Sequence, residues 1–277
     1  MRKLLPLVLF GLASGVLGRA LPVARAKGKG DLRCPSEMVR VHGFCVDRWE
    51  ISTVDSRTGA AFSPFYPPNS KLASSVRDSW LVQRSLFGDA AARAFPLPEL
   101  PAAERGPSFE PRAESRAAVV PQAYLSYHLA KLACENAGKR LCTRDEWVTA
   151  CRGAKDRDFP YGDAFRAGRC NVHRAIHPGY VLHAASSIGL LDPRLNLVLE
   201  GDDPLLRLTG ETATCESKWG DDGIFDMVGN LDEWVDEEMF LGGFYARPTT
   251  KGCDAKISSH GSSYFDYSTG ARCCRDL

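Results

Sequence analysis

Ten cysteines in a chain of 277 residues set the strongest bound on what this sequence can become. Disulfides persist in oxidising compartments, and an even count leaves no thiol over when all are paired. The count therefore points to an exported protein tied by covalent bridges. A metal reading of the same cysteines fits worse. There is no pair of Cys-x2-Cys knuckles of the structural-zinc type, and the adjacent Cys273-Cys274 suits two separate bridges better than one ion.

The N-terminus agrees with export. Arg2 and Lys3 open it with positive charge, Leu4 to Leu17 is apolar, and small residues follow, with cleavage expected near Ala20 or at Ala24-Arg25-Ala26. That apolar run is short of the ~20 residues a membrane helix needs. The expected divisions are a signal peptide over 1–26, a linker over 27–33 and a domain over 34–277 in a secreted or periplasmic protein with no membrane span. Basic and acidic residues balance at 35 and 34, and no basic stripe interleaved with aromatics occurs, which excludes nucleic acid as a partner.

Local patterning gives a coarse map. Met38-Val39-Arg40-Val41 and Phe44 to Glu50 alternate apolar with polar across His42-Gly43, which reads as a hairpin. Cys34 and Cys45 flank its first strand. From about 62 to 118 prolines recur, from Pro64 to Pro111, so this insertion reads as loop with room for one helix between Ser74 and Leu86. Phe62, Tyr66 and Trp80 are apolar anchors that a free linker would not carry. A helix is expected from about Pro121 to Ala137, closed by Gly138. A second starts at Thr143, where Thr143 and Glu146 form a capping box, and ends near Gly153. His173 and His177 have metal-ligand spacing on a helix, but Pro178 and Gly179 interrupt it and no partner glutamate is near. These histidines, with His183, read as structural. No phosphate cradle and no Gly-x-Ser-x-Gly elbow is present.

Three segments stand out for their order and spacing: Ala137-Gly138-Lys139-Arg140-Leu141-Cys142-Thr143-Arg144-Asp145-Glu146-Trp147, Asp226 to Trp234, and Gly242-Gly243-Phe244-Tyr245. Together they resemble the sulfatase-modifying-factor, or formylglycine-generating enzyme, family. Asp47-Arg48-Trp49-Glu50 looks like that family's opening Asp-x-Tyr-Glu. The resemblance covers most of residues 119 to 275 and implies a compact α+β domain related to C-type lectins, with much irregular backbone and several disulfides.

It also implies calcium, held by the Asp226 and Glu233 side chains with the Gly229 and Leu231 carbonyls, and a second half-site at Asn171 and Val172. Two bridges carry over from the family, Cys134 to Cys273 and Cys151 to Cys253. For the rest, Cys142 to Cys274, Cys170 to Cys215 and Cys34 to Cys45 are put forward, because sequence leaves connectivity open.

At the reactive centre the pattern departs from the family. Active members follow the paired glycines with Ser-x-x-Cys-x4-Cys, whereas here Phe244 stands at the serine, Arg247 at the first cysteine and Gly252 at the second. Copper(I) prefers soft thiolates, so copper is not expected. The pocket candidates become Phe244, Tyr245 and Arg247, with Arg247 placed to hold a carboxylate. The expected function is a non-catalytic exported binding or structural module for a protein, peptide or glycan. The alternative is an oxidoreductase of the formylglycine-generating type, or a related oxidative enzyme in the same pocket.

Overall fold

The alternating stretch at Met38 folds as the hairpin its pattern requires. In the computed structural model, which describes residues 33–106 and 109–277, β1 (Met38–Val41) and β2 (Phe44–Asp47) pair antiparallel, with Met38 opposite Asp47 and Val41 opposite Phe44. The expected signal segment over 1–26, and the linker as far as residue 32, lie outside the described residues. Cys34 bridges Cys45 and closes the hairpin. The second alternating run is broken after Asp47, and β3 (Ile51–Asp55) starts a separate pairing.

The insertion over 62–118 is more regular than its prolines suggest. Asn69 caps α1 (Ser70–Gln83), which begins four residues before the expected Ser74, because the Asn69 side chain accepts from Leu72 N–H at 3.1 Å. A short α2 (Ala90–Ala94) and one 3-10 turn (Ala102–Arg105) follow. Then β4 (Pro111–Ser115) pairs antiparallel with β3 over five residue pairs. Pro111 is tolerated because it is the first residue of that strand. Tyr66, Ala73, Val76, Trp80 and Leu100 bury one another as a satellite core, so the segment is held by its own apolar contacts.

Next come α3 (Tyr127–Asn136), β5 (Arg140–Leu141) and α4 (Arg144–Arg152). The start of α3 falls later than Pro121. Residues 121–125 are non-helical instead, with a bend at Tyr124 (φ +59°), Gln122 N–H donating to the Ile51 carbonyl and Leu125 N–H to that of Thr269, and Ser126 supplies the cap. The Thr143–Glu146 capping box forms as expected, with both reciprocal bonds present.

The remainder is built from short pieces: α5 (Pro178–His183), β6 (Leu199–Glu200), β7 (Asp203–Pro204), and the hairpin of β8 (Glu216–Trp219) with β9 (Asp222–Phe225). Last are β10 (Asp232–Val235), β11 (Met239–Leu241), β12 (Lys256–Ile257), β13 (Thr269–Ala271) and β14 (Cys273–Asp276).

Two four-stranded sheets organise these elements, β1-β2-β14-β5 and β12-β11-β10-β13, the second containing one parallel pair between β10 and β13. The fold is α+β. Trp147 and Trp234 are fully buried in adjoining cores that share the β10–β11 hairpin. Five disulfides pair all ten cysteines: Cys34–Cys45, Cys134–Cys273, Cys142–Cys274, Cys151–Cys253 and Cys170–Cys215, with Cα separations of 4.7 to 5.7 Å. Each such bridge stabilises a fold by roughly 2–4 kcal/mol, mainly by restricting the unfolded chain. Among the described residues no helix is long and apolar enough to cross a membrane.

Candidate functional site

The turn ahead of β10 is set by a carboxylate from the far end of the chain. Glu50 accepts from the Asn230 side-chain amide at 2.7 Å and from Leu231 N–H at 3.1 Å. Asn230 in turn donates its N–H to the Asn171 carbonyl, and its Oδ1 accepts from the Asn171 side chain and from Arg207 N–H. Gly229 is required here. Its φ is +87°, and a Cβ would lie 2.3 Å from the Asn171 carbonyl oxygen.

Behind this turn sits a buried acidic cluster. Both Glu233 oxygens are engaged, Oε2 by Trp147 Nε1 at 2.7 Å and Arg272 Nε at 2.6 Å, and Oε1 by Arg272 Nη2 at 2.6 Å. Asp226 Oδ2 accepts from Gly210 N–H at 2.7 Å. Burial pushes the Asp226 carboxyl up from 3.8 to about 7. It also holds Glu50 well above the usual carboxylate range, with the Asp226 and Glu233 charges adding to the effect. One guanidinium, Arg272, thus faces three carboxylates in a space closed to water.

The expected calcium donors fit this arrangement only in part. Glu233 has no free oxygen, and no three His, Cys, Asp or Glu groups converge as metal ligands among the described residues. Spare acceptor capacity lies instead at the other expected half-site, where the buried Asn171 Oδ1 has no hydrogen-bond partner among the described residues. The two half-sites touch through the Asn171–Asn230 bonds.

The paired glycines lead into the pocket candidates. Gly242 and Gly243 have φ of +87° and +79°, and a Cβ on either would come within 2.8 Å of Met227 or Thr249. The chain can make this bend only without side chains. Tyr245 is buried, its N–H bonded to the Asn230 carbonyl and its hydroxyl to Asn196 Oδ1 at 2.8 Å.

Arg247 does not wait for an outside carboxylate. It forms a two-point ion pair with Asp232, at 2.7 Å through Nη1 and 2.6 Å through Nη2, and lies 5.0 Å from the centre of the Phe244 ring. The carboxylate that Arg247 holds is thus one of the chain's own, that of Asp232, rather than one from outside. Burial lifts the Asp232 carboxyl to about 6 even though Arg247 opposes the rise. At Gly252, φ is +54° and a Cβ would fall 2.2 Å from the Asp158 carbonyl oxygen. A side chain at this position is therefore obstructed. The neighbouring Cys253 is tied to Cys151.

Phe244 and Arg247 form one wall of an open cleft of about 540 Å³. His177 and Tyr267 continue it, their side chains joined by a 3.1 Å hydrogen bond and both meeting Phe244 edge-on. Tyr180, 62% exposed, stands at the rim, while Ser186 and Ser268 add hydroxyls. Asp266, also lining the cleft, is occupied by the Tyr264 and Ser268 hydroxyls. The surface is thus aromatic with a few polar contacts, the pattern of a recognition site.

His177 serves a local role as well, accepting from Gly179 N–H to cap α5, where Pro178 takes the first-turn position proline favours. His173 bonds the Thr249 carbonyl, and His183 is buried against Asp192. The three histidines therefore do not converge.

In the sequence Glu50 stands out only as part of the opening motif, and no local pattern marks Asp266 or Tyr267. Arg272 has one signal, its place between Ala271 and the cysteine pair.

These features define a disulfide-tied α+β domain whose glycine pair and Gly-Asn turn present an aromatic cleft, with an arginine–aspartate pair in place of thiols. A sequence profile described as the sulfatase-modifying factor enzyme 1-like domain matches residues 18–276, and the chain belongs to that family. It is 27% identical over 123 residues to the bovine (Bos taurus) protein "Inactive C-alpha-formylglycine-generating enzyme 2", covering 42% of this chain and 32% of the relative. It is 30% identical over 138 residues to the mouse (Mus musculus) "Formylglycine-generating enzyme", covering 48% and 37%. The chain thus spans about a third of the length of the curated relatives it matches. Among solved structures, CarF aligns over 84% of this chain and 86% of its own, at a TM-score of 0.40 and 12% identity.

Proposed function

We propose that this chain is an exported, non-catalytic binding module that receives a peptide or glycan in the cleft beside Arg247. The observation that carries the proposal is the Arg247–Asp232 pair, with contacts of 2.6 and 2.7 Å, at a position where cysteine oxidation would need a thiolate. All ten cysteines are in bridges, so no thiolate stands elsewhere to replace it. A guanidinium cannot coordinate a soft ion, and its fixed charge repels a cuprous one.

The pair fixes the wall of the cleft that Arg247 forms with Phe244 and keeps that ring in place. The rings of His177, Phe244 and Tyr267 offer flat apolar surface, and Tyr180 closes on the ligand from the rim. Calcium belongs to the proposal as a structural ion, drawing on Asp226 with the Gly229 and Leu231 carbonyls, and on Asn171 at the second half-site. When bound it would supply fixed positive charge that favours the ionised Asp226 carboxylate, against the burial that raises that group to about 7.

Two measurements test the proposal. The protein is incubated with copper(I), oxygen and a Cys-x-Pro-x-Arg peptide, and mass spectrometry follows conversion of the thiol to an aldehyde. None is expected, and copper-dependent conversion would overturn the non-catalytic reading. The protein is also screened on peptide and glycan arrays alongside Tyr180→Ala. Retention of a ligand that falls at least tenfold in the variant, at an unchanged melting temperature, is expected. Equal retention would remove the cleft as the site.

A further inference from the structure

We infer that the groove between the end of α4 and β8 is a second binding site, for a ligand carrying a sulfate or phosphate monoester. Two adjoining cavities, of about 410 and 320 Å³, share Arg157, Pro160 and Lys218 in their walls. Five cations line them, Arg152, Lys155, Arg157, Arg169 and Lys218, against a single carboxylate, Glu216. A chain that is nearly neutral overall has therefore concentrated one sign of charge in a concave place.

Internal pairing does not use up that charge. Arg152 is committed to Asp254 at 2.8 Å and Asp156 at 3.3 Å. Lys218 reaches Glu216 only at 3.5 Å, with its side chain 75% exposed. Lys155, Arg157 and Arg169 have no carboxylate partner among the described residues. Arg157 makes one long contact, 3.5 Å to the Tyr161 carbonyl, and Arg169 lies over the Tyr161 ring at 5.6 Å. The buried Nε of Arg152 and that of Arg169 have no acceptor among the described residues. Buried donors of this kind are costly unless something accepts from them.

The end of α4 does not oppose an anion as a bare helix C-terminus would. Its terminal carbonyls are already taken: Ala150 O by Trp219 Nε1 and Gly153 N–H, Cys151 O by the Ser217 hydroxyl, and Arg152 O by Arg157 N–H. Gly153, at φ +68°, lets the backbone come close to β8, because a Cβ would sit 3.1 Å from the Lys218 carbonyl oxygen. Arg152 is next to the Cys151–Cys253 bridge and Arg169 next to Cys170–Cys215, so both arginines are carried on covalently fixed backbone. A preformed site of this kind loses little entropy on binding.

Cavities of about 410 and 320 Å³ suit a compact esterified oxyanion rather than a polymer. A monoester oxyanion presents several acceptor oxygens to guanidinium donors.

The test is calorimetric titration of the intact protein with inorganic sulfate, inorganic phosphate, glucose 6-phosphate and N-acetylglucosamine 6-sulfate. One or both esters should bind, and the better of the two identifies the source of the oxyanion. Binding should weaken as salt is raised, because the Debye length is about 8 Å at physiological ionic strength. Lys155→Gln and Arg157→Gln together should lower affinity at least tenfold, and Lys155→Gln alone, at an exposed position, gives a partial loss without risk to folding. Tyr180→Ala should leave binding unchanged. No ester binding, binding of the inorganic ions alone, or equal affinity in the double variant would each overturn the assignment.

Discussion

Removing the Arg247 guanidinium should destabilise the protein in a way that grows with pH. Asp232 is fully buried, and its carboxyl titrates at about 6 in the folded state against 3.8 for the free group. A raised carboxyl lowers stability as pH climbs through the interval between those values, because the unfolded chain ionises first. Arg247→Ala removes the opposing positive charge and extends that loss above pH 6.

With oxygens 2.6–2.7 Å from the guanidinium nitrogens and charge centres about 4 Å apart, an effective dielectric near 20 gives roughly 4 kcal/mol. Because the arginine side chain is 28% exposed, solvent screening reduces this to roughly 2–3 kcal/mol. Urea unfolding at about pH 5 and about pH 8 reads the difference. The cost of Arg247→Ala should be under about 1 kcal/mol at the lower pH, where Asp232 is protonated in both proteins, and roughly 2–3 kcal/mol at the higher. Asp232→Asn combined with Arg247→Ala should recover most of it. A cost that is the same at both pH values would refute an electrostatic role for the pair.

In chelator, Asp226→Asn should match the native protein only below about pH 3.5, and its advantage should grow to roughly 1.5 kcal/mol near pH 5 and roughly 4 kcal/mol near pH 8, since the buried carboxyl is raised from 3.8 to about 7. A variant that is less stable in chelator would contradict the burial account. Adding calcium should raise the melting temperature of the native protein but not of the variant, through mass action on the folded state. A native melting curve indifferent to calcium removes the ion from the proposal. Gly252→Ala forces a side chain against the Asp158 carbonyl at φ +54°, with an expected loss of roughly 3 kcal/mol. That corresponds to a fall of roughly 6–12 °C in melting temperature, and an unchanged value would mean that the backbone there yields freely.

What could be read from sequence was local or covalent. The hairpin at Met38 and the Thr143 capping box depend on residues a few positions apart, and both form where their patterns place them. The start of α3 falls later than helical periodicity places it because Gln122 and Leu125 bond to β3 and β13, partners that periodicity does not contain. The same limit hid most of the site. Glu50 meets Asn230 across 180 residues and Arg272 meets Glu233 across 39, so neither carboxylate announces its partner in its own neighbourhood. The Arg247–Asp232 pair is closer, at 15 residues, but it depends on the bend at Gly242-Gly243, which local spacing does not convey.

The two adjacent cysteines of β14 bear on when this protein can finish folding. Cys273 closes a span of 139 residues to Cys134, and Cys274 one of 132 residues to Cys142, while β14 itself lies between β2 and β5. During synthesis the first sheet has an open slot until residue 276 has emerged, and Cys134 and Cys142 have no native partner until then. Early oxidation would offer them to each other, or to Cys151, and produce a trapped non-native isomer. Productive maturation therefore relies on delayed oxidation or on an isomerase to reshuffle premature bonds, so the yield of native protein should depend on the redox buffer in which it is made.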